Sequence, residues 1–427
     1  MPNNRKTYKL GDIADIQNGY AFKAAELVDK GIPVIKIKNI ISPNVSIEDV
    51  SYYNGKLTDN IKRYIIEKGD FLISMTGSTV NVMSSAVGKM GRYRLDDRSL
   101  INQRVGKIYL TKPDIASFEY VCQYLNRYEI HYNLALNATG SANQANISPA
   151  QIKDIEISLP SLEEQKSIAA ILSAIDDKIE NNLAINKTLE EMAMALYNHW
   201  FVDFGPFQDG EFVESELGRI PMGWEVKRLD EICNITIGRT PPRKEPKWFS
   251  QNEGVKWISI KDIGNSGIYI SKTSEYLSEE AIKKFNVPVI NPNTVILSFK
   301  LTVGRVAISS ERMLSNEAIA HLNRKDSEIP VEYIYSYLKL FDYNSLGSTS
   351  SIATAVNTQT IKAMKIIIPD KKLLNSYFEK VNTIFEQIKI NQNENQTLTQ
   401  LRDTLLPKLI SGEVRLKAFR EENEKRA

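Results

Sequence analysis

The side chains that could do chemistry in this 427-residue chain are amides, hydroxyls and basic groups in polar loops, rather than acids, histidines or thiols. In the first half they are Lys36, Lys38, Thr76, Ser78, Asn81, Asn102, Gln103, Arg104, Ser141, Asn143, Gln144 and Asn146. In the second they are Arg239, Arg243, Lys244, Lys261, Lys300, Arg305, Asn316, Ser348, Thr349, Ser350 and Asn357. These residue types read nucleic-acid base edges and hold phosphates. Gly-Ser loops such as Thr139–Ser148 and Leu346–Asn357 let backbone amides approach a phosphate closely. The simpler reading of any one of them is an ordinary polar loop residue. Their occurrence at parallel places in two copies favours a shared function for the set.

Catalytic constellations are missing. The sequence has no GxGxxG and no GxxxxGK[ST], hence no nucleotide cradle, and no GxSxG, HExxH or kinase motif set. Asp203-Phe204-Gly205 spells a kinase tripeptide without its companions, and Asn291-Pro292-Asn293 reads as a turn. The carboxylate pairs Asp96-Asp97 and Asp176-Asp177 are adjacent, so their side chains diverge and read as solvated charge. His131, His199 and His321 show no metal spacing, and Cys122 and Cys233 are too few for a disulfide framework or a zinc site. The expectation is a chain with no catalytic residue, no bound metal and no cofactor of its own.

Two long helices must position these loops. From residue 161 to about residue 197 one seam row runs Ile168, Ile175, Asn182, Leu189, Leu196, and the other Leu172, Ile179, Asn186, Ala193. After Pro369 the same seam returns as Tyr377, Ile384, Asn391, Leu398, Leu405, with Val381, Ile388, Asn395 and Arg402 beside it. The offset is constant, 384 − 175 = 209 and 391 − 182 = 209. Apolar residues stepping in sevens predict a helix packed on a helix. The economical partner is the repeat itself, and because the asparagines lie near the middle of both seams an antiparallel pairing would still bring polar to polar. A buried seam Asn costs stability and fixes register, so Asn182, Asn186, Asn391 and Asn395 are candidate register residues. Alternatively, each helix caps its own globular half.

The globular halves repeat as well. KLGDIADIQNG (Lys9–Gly19) matches RLDEICNITIG (Arg228–Gly238), each reading as a short helix and a strand ending at glycine. Strands with period-two alternation follow, Ile32–Ile40 and Val255–Ile263, placing Lys36 and Lys38 on one face and Lys261 at the matching place. Further strands fall at Lys68–Ser78 and Asn291–Leu301, with helices around Phe118–Tyr132 and Val331–Leu340. The fold class expected is α+β: two mixed α/β domains separated by two long helices forming an antiparallel coiled coil, with a pseudo-two-fold internal repeat. The domain limits read as 1–160, 161–204 (helical), 205–221 (linker), 222–369, 370–412 (helical) and 413–427 (tail).

Net charge is +2. Residues 1–160 hold 20 Lys+Arg against 16 Asp+Glu, and residues 218–369 hold 20 against 15. Residues 161–217 hold 3 against 12. Two mildly basic halves suit a polyanion partner, though such charge alone is weak support. With no apolar leader at the amino terminus and no run of about 18 apolar residues, a cytoplasmic chain without a membrane partner is expected.

Particular segments carry a family resemblance: the KLGDI opening, PMGWEVKRLDEI (Pro221–Ile232), LPSLEEQKSIAAILSAIDDKI (Leu159–Ile179), ALYNHWFVDF (Ala195–Phe204) and LRDTLLPKLISGEV (Leu401–Val414). With them the chain resembles the DNA-specificity subunit of type I restriction–modification enzymes over nearly its whole length. The second helix departs from the first, with LLNSYF in place of EEQKSI and with Pro407 expected to break its last turn. The resemblance implies a non-catalytic subunit that binds double-stranded DNA. Each recognition domain would read half of a bipartite asymmetric target, the halves about one turn (~34 Å) apart, with the helices as spacer. It also implies two methyltransferase subunits and restriction (translocase/nuclease) subunits as partners, which would bind S-adenosylmethionine, ATP and Mg. The competing reading of the residues is a two-headed coiled-coil adaptor for protein partners, distinguished by salt: DNA binding weakens steeply as salt rises.

Overall fold

The computed structural model describes residues 5–141, 144–346 and 356–416. The chain forms two units, Met1–Lys178 with Leu398–Ala427, and Ile179–Thr397. The division passes through two long helices, Leu162–Phe201 and Lys371–Ser411, so each unit contains part of both. No helix among the described residues is long and apolar enough to cross a membrane.

In the first unit the short helix Leu10–Ile13 buries both its end residues and leads into strand Ala14–Asn18. That strand opens a six-stranded sheet with Val105–Leu110, Phe71–Ser74, Met90–Arg92, Asn44–Val45 and Ile40–Ile41, in that order. A second, five-stranded sheet contains Ile32–Ile35 paired parallel to Ser99–Ile101. Lys6–Lys9 pairs antiparallel with Glu156–Leu159, the strand that runs into the first long helix.

The second unit repeats this plan. Helix Leu229–Ile232 leads into Cys233–Ile237, at the edge of a sheet ordered with Ile319–Arg324, Val295–Ser298, Val306–Ser309 and Tyr269–Ile270. Val255–Ile258 pairs parallel to Leu314–Ser315 in the other sheet, and Glu225–Arg228 pairs with Lys365–Ile368 before the second long helix.

The long helices pair antiparallel within each unit, since partner numbers run in opposite directions. In the second unit Asn182 Nδ2 donates to Asn395 Oδ1 at 2.9 Å and to Glu394 Oε2 at 2.7 Å. Asn391 Nδ2 donates to Asn186 Oδ1 at 2.8 Å. Below them Ala193, Tyr197 and Phe201 pack with Tyr377, Val381, Phe385 and Ile388 in one core cluster. The Phe201 and Tyr377 rings lie 5.0 Å apart, edge to face. In the first unit Ile168, Ala169 and Leu172 share a core with Leu409 and Ile410. There Arg402 Nη1 donates to Asp176 Oδ1 at 3.1 Å, and Arg415 Nη2 to Glu164 Oε2 at 2.7 Å. Asn182 Oδ1 is buried without a hydrogen-bond partner among the described residues. The seam asparagines therefore cost stability while making polar-to-polar contact the register that satisfies most of their groups.

Several elements differ from the sequence reading. The strands expected over Ile32–Ile40 and Val255–Ile263 stop at Ile35 and Ile258. Asn39 Oδ1 accepts from Lys36 N at 3.0 Å, turning the chain into a 3-10 helix. Ser259 and Asp262 form a capping box that starts helix Ile260–Asn265. Lys36 and Lys38 consequently do not share a strand face. Residues 118–136 form two helices, Phe118–Leu125 and Tyr128–Leu136, because Arg127 is extended and its Nε bonds back to Tyr124 O at 3.0 Å. The stretch 205–221, read as a linker, contains the hairpin Phe212–Ser215/Gly218–Pro221, and Ile220 is buried. Asp176, read as solvated, is 8 % exposed and held by Arg402 and by Gln123 Nε2 at 2.7 Å.

Pro407 does not end the second helix, which runs to Ser411. An interior proline costs about 3 kcal/mol. Leu409 and Ile410 lie beyond it, each 2 % exposed, and their burial contributes about 2 kcal/mol apiece. The final carbonyls are also satisfied: Arg5 donates to Leu409 O at 2.9 Å and to Ile410 O, and Gly412 (φ +80°) leaves the helix in the left-handed conformation.

Candidate nucleic-acid interface

One edge of each unit gathers the polar loops, and the two edges are built on matching backbone hydrogen bonds. In the first unit the chains leave the six-stranded sheet where Val105 pairs with Ser74 and Gly106 with Asn18. There Gly19 N donates to Val105 O (2.9 Å), Tyr20 N to Ile101 O (2.9 Å), Asn102 N to Ile35 O (3.0 Å) and Met75 N to Arg104 O (2.9 Å). In the second unit Gly238 N donates to Ile319 O (3.1 Å), Arg239 N to Ser315 O (2.9 Å), Asn316 N to Ile258 O (3.1 Å) and Phe299 N to Ala318 O (2.9 Å). A Cβ on Gly19 would lie 2.2 Å from Asn102 O, and one on Gly238 2.2 Å from Asn316 O. Both positions demand glycine because the turns at Asn102 and Asn316 pack directly over them.

On this edge of the first unit, Thr76 Oγ1 donates to Asn146 Oδ1 at 2.9 Å and Arg104 Nη1 reaches the same oxygen at 3.4 Å. The stretch read as a Gly-Ser loop forms strands Thr139–Ser141 and Gln144–Asn146, which extend Thr76–Gly77 into a three-stranded sheet. Gln103, Arg104, Ser141, Gln144, Asn81 and Lys38 are exposed. Ser78 Oγ is within 2.8 Å of Ser85 Oγ and donates to Val82 O, closing its own loop. Lys36 Nζ donates to Ser51 Oγ at 2.9 Å. Asn143 lies outside the described residues.

On the edge of the second unit, Lys300 and Arg239 are exposed, while Asn316 Oδ1 accepts from Ala318 N at 3.0 Å and shapes the turn. Arg239 Nη1 also donates to Phe285 O at 2.6 Å. Arg243 makes a bidentate pair with Glu275 (2.6 and 2.9 Å) and stacks over Phe249 and Trp257, 4.2 and 4.7 Å from their ring centres. Arg305 donates to Ile260 O at 2.8 Å and covers Gly264, which gives it a structural role. Lys244 and Lys261 are exposed. Asn357 Oδ1 accepts from Thr360 N at 3.0 Å as the cap of helix Thr358–Ala363. Ser348, Thr349 and Ser350 lie outside the described residues.

Two groups on this edge were absent from the candidates. Glu317 occupies the place that Gln103 holds in the first copy, the one signal that could have singled it out. Its carboxyl is held below the ordinary range: burial raises it, but bonding from Thr240 and from its own backbone N–H, with Lys300 and Arg243 nearby, outweighs burial. A carboxylate here can accept from a cytosine amino group. His321 is fully buried, within 2.6 Å of Ser315 Oγ and 3.2 Å of Thr236 Oγ1. Burial pushes its pKa down to about 4, so it is neutral and supports the strand beneath the turn. The thiols of Cys122 and Cys233 are buried and pushed up to about 12, which suits packing and not nucleophilic attack.

The family model described as type I restriction modification DNA specificity domain matches this chain twice, over residues 2–191 and 221–400. The chain belongs to that family. It is 29 % identical over 434 residues to the type I restriction enzyme MjaIX specificity subunit of Methanocaldococcus jannaschii, covering 97 % of this chain and 95 % of that one. It is 27 % identical over 477 residues to the HindI specificity subunit of Haemophilus influenzae, covering 96 % and 99 %. The crystal structure of a type I system S subunit from M. genitalium superposes with a TM-score of 0.55 at 16 % identity, covering 96 % of this chain and 97 % of that one. That likeness is one of fold. The two family matches fall on the two copies of the repeat, each ending inside a long helix.

Proposed function

We propose that this chain is the sequence-specific DNA-binding subunit of a type I restriction–modification enzyme and that its two recognition domains, residues 1–160 and 222–369, each read one half of a bipartite asymmetric target. The observation that carries the reading is one edge built twice on the same backbone bonds but faced with different side chains. Asn102-Gln103-Arg104 in one copy stands where Asn316-Glu317-Ala318 stands in the other. A fixed scaffold with divergent amide, acid and guanidinium groups suits the reading of two unlike half-sites. The exposed lysines and arginines would anchor phosphates, and the exchangeable groups would test base edges.

In this reading the chain cuts and methylates nothing. The long helices, with Asn182, Asn186, Asn391 and Asn395 holding their register, set the gap between half-sites and dock two methyltransferase subunits, through which the restriction subunits join. S-adenosylmethionine, ATP and Mg belong to those partners, and the assembly works in the cytoplasm. The testing experiment replaces residues 1–160 with the corresponding half of another family member, in complex with the methyltransferase. One half of the methylated target should change and the other should stay. A target that stays whole, or changes in both halves, would sink the modular reading.

A further inference from the structure

Folding gains little from Leu301. The residue is 96 % exposed, and its φ of +63° lies in the left-handed region that disfavours a bulky L residue. Glycine or asparagine would suit both conditions better. A position that breaks local rules with no packing gain points to function.

The loop presents this side chain firmly. Leu301 stands at the tip of the hairpin joining Val295–Ser298 to Val306–Ser309. Fully buried Ser298 pins both arms: its Oγ donates to Thr302 O at 2.6 Å and accepts from Arg305 N at 3.0 Å, and Gly304 N donates to Ser298 O at 3.0 Å. The bond from Phe299 N to Ala318 O sets the loop beside the Asn316–Glu317 turn, and Lys300 adds a cation next to the tip. The first copy builds a related tip. Ser74 and Gly88 (φ +87°) stand where Ser298 and Gly304 (φ +89°) do, again with a bond from Gly88 N to Ser74 O, and that loop exposes Val82.

We propose that Leu301 is an apolar probe that the second recognition domain sets against the 5-methyl group of a thymine in the major groove. The inference rests on the DNA-reading function above. The tip follows the exposed Lys300 and its arm is bonded to the turn that carries Asn316 and Glu317, groups suited to phosphates and base edges, so the target that complements a bare leucine there is an apolar group within a polyanion. The thymine methyl is the apolar group that base pairs display in the major groove, and a two-stranded ribbon fits that groove. Contact there reads A·T against G·C without a hydrogen bond.

The test uses the full chain with its methyltransferase subunit and target duplexes in which each thymine is replaced singly by deoxyuridine, which lacks only the methyl. Wild type should lose about fourfold in affinity at one position, the value of one methyl-sized group removed from apolar contact. Leu301→Ala and Leu301→Gly should bind more weakly and be indifferent to that replacement, with thermal stability equal to or above wild type. Equal sensitivity in wild type and variants, or none at any thymine, overturns the proposal while the recognition reading stands. A 2-aminopurine duplex that brightens with wild type but not with Leu301→Ala, with no uracil sensitivity, would show a wedge between base pairs and also overturns it. If wild type distinguishes no sequence at all, the recognition reading falls, and this proposal with it.

Discussion

Replacing Arg402 with leucine should cost far more than replacing its partner Asp176 with leucine. Both side chains are largely buried, 18 % and 10 % exposed, where the two long helices meet in the first unit. Removing Arg402 leaves the Asp176 carboxylate with one amide donor, Gln123 at 2.7 Å, and the Arg94 guanidinium 4.0 Å away. Breaking a buried pair this way costs about 3–5 kcal/mol. The residual exposure and Arg94 argue for the lower end, about 3 kcal/mol. Removing Asp176 instead leaves Arg402 paired with Asp403 at 2.9 Å, so a cost of about 1 kcal/mol is expected, and the double leucine variant should regain most of the loss. Native-state hydrogen exchange is the fitting assay, because all four tryptophans (Trp200, Trp224, Trp248, Trp257) lie in the other unit. Amides in 165–178 and 400–410 should exchange about a hundredfold faster in Arg402→Leu at 1.4 kcal/mol per decade. Equal costs for the two single variants, or a loss under about 1 kcal/mol for Arg402→Leu, would refute the pairing.

Arg104→Ala should weaken DNA binding and lower the slope of log K against log salt by about one if the guanidinium holds a phosphate. An unchanged slope with altered preference at one base pair would make Arg104 a base reader instead. His321 makes the second unit acid-sensitive. Its folded pKa of about 4 lies below the ordinary 6.5, so its contribution is fully present above pH 6.5 and is lost as pH falls toward 4, when only the unfolded chain takes the proton. The loss should approach about 3 kcal/mol. Tryptophan-monitored urea unfolding between pH 7 and 4 should show that slope, and His321→Gln should flatten it.

Long-range regularity was legible in the sequence, and local turns were not. The heptad rows and the 209-residue offset between the seam asparagines point to two long helices packed on each other, because burial on a helix follows spacing alone, whereas spacing leaves their relative direction open. Alternation that continues through IKIKNI reads Lys36 and Lys38 as strand, whereas the Asn39 side chain closes a turn there that hydropathy does not register. The Ser259–Asp262 capping box is legible as S-x-x-D, and it ends the strand where hydropathic alternation alone would carry it on to Ile263. The hairpin of Thr139–Ser141 and Gln144–Asn146 carries no apolar alternation, since its strands gain stability by extending Thr76–Gly77. In the candidate edge, residue type pointed to Thr76, Arg104 and Asn146, which the structure brings together. Residue type could not separate them from Arg305 and Asn357, whose polar groups are spent on Ile260 O and on a helix cap. Leu301 carries no polar group, so residue type gives no sign of it; its left-handed φ and its exposure appear only in the fold.

The most direct measurement is a genome-wide map of methylated adenine in the source cell with and without this gene. Two-half recognition predicts that one bipartite motif, two short defined sequences around an unspecified gap, loses its methylation when the gene is deleted, and that restoring the gene restores it. A methylated motif that persists unchanged in the deletion, in a cell expressing the cognate methyltransferase, would contradict that claim.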